Sequence, residues 1–114
     1  MCIRDSLSTA RDVAHVLRNI LLDFPEYYNL FSRRNANAGI KKVQHSGARF
    51  LANYQGADAF KHGYTRASGY SGASSAVRGD NRIITVVFGG RSIATRNKDM
   101  AKLTDLGFKK LSIK

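Results

Sequence analysis

Residues 59–88, AFKHGYTRASGYSGASSAVRGDNRIITVVF, decide the fold of this chain. The stretch contains runs typical of strands at 59–64, 69–77 and 82–88, and the last run holds the β-branched and aromatic sequence IITVVF. Gly79-Asp80-Asn81, between the second and third runs, is typical of a hairpin turn. Strands joined by such short connections pair antiparallel. The sequence therefore predicts an antiparallel meander of three strands at the centre of the fold.

A helix is predicted on the N-terminal side of these strands. Apolar residues spaced by three and four over 13–24 form one helix face, which Ser8 or Thr9 caps and Pro25 ends. The aromatic-rich residues 26–31 predict one more helical turn. The side chains of that turn expected in the core are Tyr27, Tyr28 and Phe31.

A second helix is predicted after the strands. We expect Gly89-Gly90 to stop the third strand, Asn97 to cap the helix and Gly107 to end it. The helix side chains expected to face the core are Met100, Leu103 and Leu106. Residues 109–113 predict a short final strand.

Residues 32–56 are polar and basic and include Gly39 and Gly47, so we expect a loop with one short extended piece at 39–43. Helix, antiparallel meander and closing helix together predict an α+β fold. The arrangement is like one end of a larger domain.

Charge and length limit the function classes. The 114 residues include 19 Lys and Arg against 8 Asp and Glu, which gives a net charge of +11. This surplus favours an anionic partner, and nucleic acid, anionic lipid and an anionic cell-wall polymer all qualify. Cys2 is the single cysteine, so an internal disulfide and a cysteine-built zinc site are excluded. No apolar run approaches the roughly 20 residues of a membrane helix.

Residues 1–6, MCIRDS, have no apolar period that joins them to the first helix. They resemble a translated sequencing-adapter stub, and we exclude them from fold reasoning. The domain is therefore expected to comprise residues 7–114.

Several motifs, taken in order, carry a resemblance to a known family. They are Lys61-His62-Gly63, Gly69-Tyr70, Val86-Val87-Phe88-Gly89-Gly90 and Arg96. Their order and spacing resemble the D-alanyl-D-alanine carboxypeptidases, the low-molecular-mass penicillin-binding proteins of the serine β-lactamase-like fold. In that family a K-T-G strand is followed by A-G-Y or A-G-F, by a V-V-x-G-G strand and by an Arg that opens the last helix. Residues 7–12 and 23–28 also resemble this family, so the likeness extends over nearly the whole range 7–110.

The resemblance implies roles for five residues. Lys61 would be the strand cation that holds the nucleophile ready and attracts the peptide carboxylate. Gly63 would line the groove and let the substrate backbone approach closely. Arg96 would bind the terminal carboxylate of D-Ala, a contact that suits a bidentate guanidinium. His62 and Thr65 would complete the substrate-binding set, with Thr65 at the rim of the groove.

The chain departs from the family pattern in several places. His62 stands where the family has a Thr whose hydroxyl contacts the substrate carboxylate, and Ala59 stands where it has Gly. Gly72 stands where a bulky apolar residue is usual, so we expect a weakened sheet core. None of the ten serines has Lys three residues on or Asn two residues on, so the family's S-x-x-K and S-x-N motifs are missing. Residues 7–114 are therefore expected to be the C-terminal part of a catalytic domain that cannot acylate alone.

The resemblance implies a bacterial serine-type carboxypeptidase that trims D-Ala-D-Ala stem peptides of peptidoglycan in the periplasm or cell envelope. β-Lactams would be its inhibitors, and it would use no metal or organic cofactor. Membrane association would come only through segments outside the chain. A penicillin-binding transpeptidase and a serine β-lactamase share the Lys-x-Gly strand, so the motif does not separate them.

Other interpretations of the same residues stay open at this stage. The alternative function is a small basic nucleic-acid-binding module, which the charge favours, although no known nucleic-acid-binding signature is present. Lys61 is equally typical of a solvated charge at a strand end, and Arg96 of a surface residue at a helix start. His15 and His45 have no companions at metal-ligand spacing and are expected to be structural or solvated.

Overall fold

A computed structural model describes residues 7–45 and 47–112. The helices are α1 (Ala10–Asp23), α2 (Pro25–Tyr28), a 3₁₀ helix (Asn29–Phe31), α3 (Ala48–Asn53) and α4 (Ile93–Ser112). The strands are β1 (Asn35–Asn37), β2 (Lys42–Gln44), β3 (Ala57–Thr65), β4 (Gly69–Arg78) and β5 (Asn81–Gly90). The interpretation of residues 1–6 falls outside the described residues.

The predicted meander is confirmed as a three-stranded antiparallel sheet in the order β3-β4-β5. One boundary was wrong, because β5 does not stop before the glycine pair and Gly90 pairs with Tyr70. The register shifts between Tyr70 and Gly72, and Gly89 lies opposite this shift with a φ of 76°. Glycine adopts this left-handed conformation without strain and so allows a bulge that keeps the strand paired.

Helix α1 covers one face of the sheet. Thr9 caps it, since its side chain accepts a hydrogen bond from the Asp12 backbone N–H at 3.1 Å, and Phe24 and Pro25 end it. The buried residues on this face are Leu17, Tyr28, Ala59 and Ala73. The expectation for Tyr27 was wrong, because this side chain is 59% exposed while its neighbour Tyr28 takes the place in the core.

A polar cluster joins α2 to all strands of the main sheet. The Arg82 Nη1 donates to both Asp58 carboxylate oxygens, at 3.0 and 2.8 Å, and to Ser75 Oγ at 2.6 Å. It also donates to the Tyr28 hydroxyl at 3.3 Å, and the guanidinium lies 5.5 Å from the centre of that ring. Burial is the main reason that the pKa of Tyr28 is raised. One arginine therefore links the helical turn to β3, β4 and β5.

The predicted loop 32–56 contains more structure than expected. The extended piece expected at 39–43 is a hairpin of β1 and β2, in which Asn35 pairs with Gln44 and Gly39 turns the chain with a φ of 87°. Residues 48–53 form helix α3, which the sequence analysis missed. Phe50 and Leu51 of α3 are buried against the sheet. This packing stabilises a helix too short to form on its own.

Helix α4 covers the opposite face of the sheet and begins earlier than predicted. Ser92 caps it, because its hydroxyl accepts from the Thr95 backbone N–H at 3.0 Å and its carbonyl accepts from Arg96 N–H. Asn97 therefore lies inside the helix and is not the cap. Gly107 does not end the helix either, and a Cβ built there would meet Ile83 at 3.0 Å. Glycine at this position allows α4 to approach β5 closely.

The buried face of α4 also differs from the prediction. Met100 is buried as expected, but Leu103 and Leu106 are exposed, and the other buried residues of the helix are Arg96 and Thr104. These positions follow a spacing of four, which places them on one stripe of the helix. The strand predicted at 109–113 is wrong, because α4 continues to Ser112, and residue 113 lies outside the described part.

Two further contacts fix α4 to its surroundings. The Thr104 hydroxyl lies 2.8 Å from the Thr85 hydroxyl and donates to the Met100 carbonyl. The Tyr54 hydroxyl donates to Asp105, and burial together with this carboxylate raises the pKa of Tyr54 to about 12. The Arg78 guanidinium lies 5.1 Å from the centre of the Tyr54 ring. Within residues 7–45 and 47–112, no helix is long and apolar enough to cross a membrane.

Candidate functional site

Strand β3 divides the predicted site residues between its two faces, because side chains alternate along a strand. Lys61, Gly63 and Thr65 share one face, and they are exposed. His62 points to the other face, where its ring lies 6.2 Å from that of the buried Phe60. β3 is an edge strand of the sheet, so the backbone of all these residues lies at an outer edge.

Arg96 is the buried cation of the site. Its side chain is only 3% exposed, which contradicts the interpretation of Arg96 as a solvated surface residue. The guanidinium lies 5.3 Å from the centre of the Phe60 ring and donates to the Ser71 carbonyl at 3.4 Å. It also donates from Nε and Nη2 to the Asn97 side-chain oxygen, at 3.2 and 3.1 Å. These neutral acceptors orient the guanidinium without cancelling its charge.

Two glycines make room for Arg96 on the sheet. A Cβ built at Gly72 would lie 3.2 Å from Arg96 Cδ and 2.6 Å from Met100 Sδ. A Cβ built at Gly90 would lie 3.2 Å from Arg96 Cβ. The side chain of Met100, which is fully buried, fills the space beside Gly72. The weakening of the sheet core by Gly72 stays a prediction.

The electrostatics of Arg96 favour an added anion. Burial lowers the pKa of Arg96, and Tyr70 opposes this effect. In the described residues, the ion pairs within 4.0 Å are Arg78–Asp105 and Arg82–Asp58, so Arg96 has no carboxylate partner there. A buried cation is costly unless an opposite charge or good hydrogen bonds compensate it. A ligand carboxylate would supply such a charge.

A pocket of about 220 Å³ opens beside Arg96 and is lined by His62, Tyr64, Tyr70, Ile93 and Arg96. The rings of Tyr64 and Tyr70 pack against each other, with centroids 4.5 Å apart, because these residues are direct partners across β3 and β4. The pKa of His62 is lowered by burial and by the positive charges of Arg96, Lys61 and His45. Both effects favour the neutral imidazole.

The other predicted residues on β3, Lys61, Gly63 and Thr65, are exposed at the edge of the sheet and do not line this pocket. The Lys61 Nζ donates to the His62 carbonyl at 2.6 Å. Thr65 accepts from the Ser68 backbone N–H at 3.0 Å, and the hydroxyls of these two residues are hydrogen-bonded. A Cβ built at Gly63 would have no neighbour within 4 Å. The strand edge at Gly63 is thus open to an approaching chain.

The structure therefore brings His62 and Arg96 together in one pocket and leaves Lys61, Gly63 and Thr65 on the opposite face of the same strand. Sequence analysis missed the pocket walls formed by Tyr64, Tyr70 and Ile93. The alternation of residues 60, 62 and 64 could have indicated that Tyr64 shares a face with His62. Within residues 7–45 and 47–112, no group of three His, Cys, Asp or Glu side chains is arranged to hold a metal ion.

Comparisons with known proteins match almost the whole chain. A family model described as D-alanyl-D-alanine carboxypeptidase matches residues 3–92. The chain is 31% identical to D-alanyl-D-alanine carboxypeptidase DacA of Escherichia coli K12, over 90% of the chain and 25% of the relative. It is 33% identical to DacA of Haemophilus influenzae, over 89% of the chain and 26% of the relative. The chain thus spans about a quarter of the curated relatives.

Solved structures show the same likeness in three dimensions. Penicillin-binding protein D2 from Listeria monocytogenes, in its ampicillin-bound form, aligns with a TM-score of 0.84 and 28% identity, over 95% of this chain and 44% of that one. Penicillin-binding protein 5 from Haemophilus influenzae aligns with a TM-score of 0.83 and 30% identity, over 90% of this chain and 30% of that one. These comparisons confirm the predicted fold class and give no support to the nucleic-acid-binding alternative.

Proposed function

Because the chain belongs to the D-alanyl-D-alanine carboxypeptidase family, we propose that residues 7–114 form the C-terminal part of a serine-type carboxypeptidase catalytic domain. The substrate would be a peptidoglycan stem peptide that ends in D-Ala-D-Ala. The observation that carries this proposal is the buried Arg96, which faces a pocket and has only neutral hydrogen-bond acceptors in the described residues. Such a cation suits the terminal carboxylate of a peptide.

The proposed reaction proceeds in two steps through an acyl-enzyme. A serine hydroxyl attacks the carbonyl of the penultimate D-Ala, the C–N bond breaks, and the terminal D-Ala leaves with a proton on its amine. Water then hydrolyses the resulting ester and restores the serine. The 114 residues contain no S-x-x-K sequence, so this serine is supplied from outside them. The chain alone is therefore expected not to acylate.

Four of the five site residues have a proposed part in this reaction. Arg96 binds the terminal carboxylate and fixes the position of the scissile bond. The exposed Lys61 adds positive charge beside the nucleophile. Gly63 leaves space for the substrate backbone along the edge of β3, as an additional strand would need. Thr65, held by the turn to Ser68, lies at the rim.

The partners and location follow from the same proposal. The parent protein would act in the bacterial cell envelope, in the periplasm, on peptidoglycan. β-Lactams would inhibit it by acylating the same serine. Two structures similar to this chain, of penicillin-binding protein D2, contain cefotaxime and ampicillin, which supports this expectation. The positive charge of the chain suits an anionic wall polymer.

Two experiments on the full-length protein test the proposal. Fluorescent penicillin should label the full-length protein and should leave the 114-residue chain unlabelled. Arg96→Gln should lower kcat/KM for a peptide ending in D-Ala-D-Ala by about 10- to 100-fold, as expected for the loss of a charge-assisted hydrogen bond. The control is Arg91→Gln, because Arg91 precedes the same helix but is exposed.

A full-length protein that resists labelling would refute the proposed activity. An equal decrease in kcat/KM for Arg96→Gln and Arg91→Gln would instead show that the net positive charge of the chain promotes the reaction. The buried guanidinium of Arg96 would then have no specific role in binding the carboxylate. A peptide with an amidated C-terminus provides a further check. Its kcat/KM should be low for the wild type and almost unaffected by Arg96→Gln.

A further inference from the structure

The pocket beside Arg96 contains a second basic group, His62. Arg96 reaches the pocket from α4, and His62 enters it from β3. The residues that line the pocket include no acid in the described part of the chain. The family pattern has a threonine at this position, and a hydroxyl does not titrate in the physiological range, whereas an imidazole does. The chemistry of this pocket therefore depends on pH in a way that a threonine would not produce.

The groups that face His62 come from several elements. Arg96 is contributed by α4, Lys61 by the same strand, and His45 by the segment before α3. Tyr64 and Tyr70 line the pocket with aromatic rings, and Gly72, opposite His62 on β4, adds no charge. Burial lowers the pKa of His62, and the nearby charges of Arg96 and Lys61 lower it further, so these groups disfavour the imidazolium form.

A carboxylate that enters the pocket favours the imidazolium form of His62 over the neutral form. It compensates the guanidinium charge and adds a negative charge within the small volume that His62 shares. A nearby opposite charge favours the charged form of an imidazole. Because binding and protonation are linked, a ligand that raises the pKa of His62 must also bind more tightly to the protonated pocket by the same factor.

We propose that His62 makes the Arg96 pocket a proton-linked carboxylate site, in which binding of a carboxylate-ended ligand is accompanied by proton uptake on the imidazole. This inference rests on the proposed function only for the identity of the ligand as a D-Ala-D-Ala peptide. The consequence is a selectivity that changes with pH. Ligands with a free carboxylate gain affinity as the pH falls from 8 to 5, and ligands without one do not.

The test uses the 114-residue chain and acetyl-D-Ala-D-Ala as the probe. The ring signals of its histidines are followed by NMR as a function of pH, with and without saturating probe, and His62→Gln assigns the signal of His62. We expect the probe to raise the pKa of His62 and to leave that of His15 unchanged, since His15 lies exposed on α1. The affinity of the probe should be about tenfold higher at pH 5 than at pH 8, the effect of one opposite charge nearby.

Two variants and two further ligands make the result decisive. His62→Gln and His62→Asn, both checked for folding by circular dichroism, should bind the probe with the same affinity at pH 5 and pH 8. Acetyl-D-alanyl-D-alaninamide, which lacks the carboxylate, should not raise the pKa of His62. Sodium acetate, compared with sodium chloride at equal ionic strength, should raise it.

The outcomes separate this inference from the proposed function. If the dipeptide binds but the pKa of His62 does not move, the proton link is wrong and the proposed function stands. If the dipeptide fails to bind while acetate raises the pKa of His62, the proton-linked carboxylate site stands in this chain, and kinetics of the full-length protein decide whether the peptide is its substrate. If neither ligand binds, the carboxylate site and its proton link are wrong, and the labelling of the full-length protein decides the proposed function separately. Variants at position 62 that keep the tenfold pH effect would overturn the role of His62.

Discussion

The ion pair between Asp58 and Arg82 is expected to couple energetically, and a double-mutant cycle measures the coupling. The perturbations are Asp58→Asn, Arg82→Met and the two together. In the structure, Arg82 Nη1 donates to both carboxylate oxygens at 3.0 and 2.8 Å. The same nitrogen also donates to Ser75 Oγ and to the Tyr28 hydroxyl. Displacing the Arg82 side chain would therefore break its contacts with α2, β3 and β4.

The expected magnitude follows from the burial of the pair. The side chains are 29% and 34% exposed, so the pair lies between a solvated surface pair and a buried one. Exposed pairs contribute about 0–1 kcal/mol, and breaking a buried pair costs about 3–5 kcal/mol. We therefore expect a coupling energy of about 1–2 kcal/mol for Asp58 and Arg82. Each single variant should cost more than this, because each also leaves polar partners unsatisfied.

The assay is urea unfolding followed by circular dichroism, with the free energy of unfolding of all four proteins compared. The pair Arg78–Asp105 provides a control cycle in the same chain, with Arg78→Met and Asp105→Asn. Its atoms are 3.6 Å apart and its side chains are 35% and 62% exposed, so its coupling should stay below about 0.5 kcal/mol. A coupling for Asp58–Arg82 no larger than that of the control would refute the reasoning from burial.

Two further predictions concern the core and the site. Gly47→Ala should lower the free energy of unfolding by about 1–3 kcal/mol, because the added Cβ would lie 2.1 Å from Cδ1 of the buried Phe60 ring. Gly63→Ala, where the added Cβ meets nothing within 4 Å, is the control in the same urea experiment, and equal losses would contradict the steric explanation. His62→Gln should make the stability less sensitive to acid. Because the pKa of His62 is lowered from 6.5 in the folded chain, the unfolded chain binds this proton more readily, so the wild type loses stability as the pH falls below about 6.5. If the free energy of unfolding decreases equally between pH 7 and pH 5 in the wild type and in His62→Gln, protonation of His62 is not the cause of the acid sensitivity.

The strands could be predicted from the sequence because their signals are local. Alternating and β-branched residues, together with the turn at Gly79-Asp80, determine β3, β4 and β5 without reference to the rest of the chain. The boundaries of α4 were predicted wrongly, because more than one residue near each end has the properties of a helix cap. Asn97 and Gly107 are good capping residues, but Ser92 caps α4, and Gly107 serves the close packing of the helix on Ile83.

The pocket could be predicted only in part. The motif resemblance identified Lys61, His62, Gly63, Thr65 and Arg96, but it did not indicate that His62 and Arg96 share a pocket. The burial of Arg96 depends on space left by Gly72 on β4 and Gly90 on β5, and such long-range packing has no periodic signal. Helix α3 was missed for the same reason, since Phe50 and Leu51 stabilise it only through their contacts with residues far along the chain.

The turn between β3 and β4 has a consequence for anyone who redesigns this protein. The hydrogen bonds of Thr65 and Ser68 define where β4 begins, and so which residue of β4 faces which residue of β3. A slip of one residue in that pairing would exchange the two faces of β3. Lys61 would then take the place of His62 beside Arg96, and a switchable base would become a permanent cation. Loop grafts or deletions at 65–68 can therefore change the charge of a pocket that the loop itself does not line.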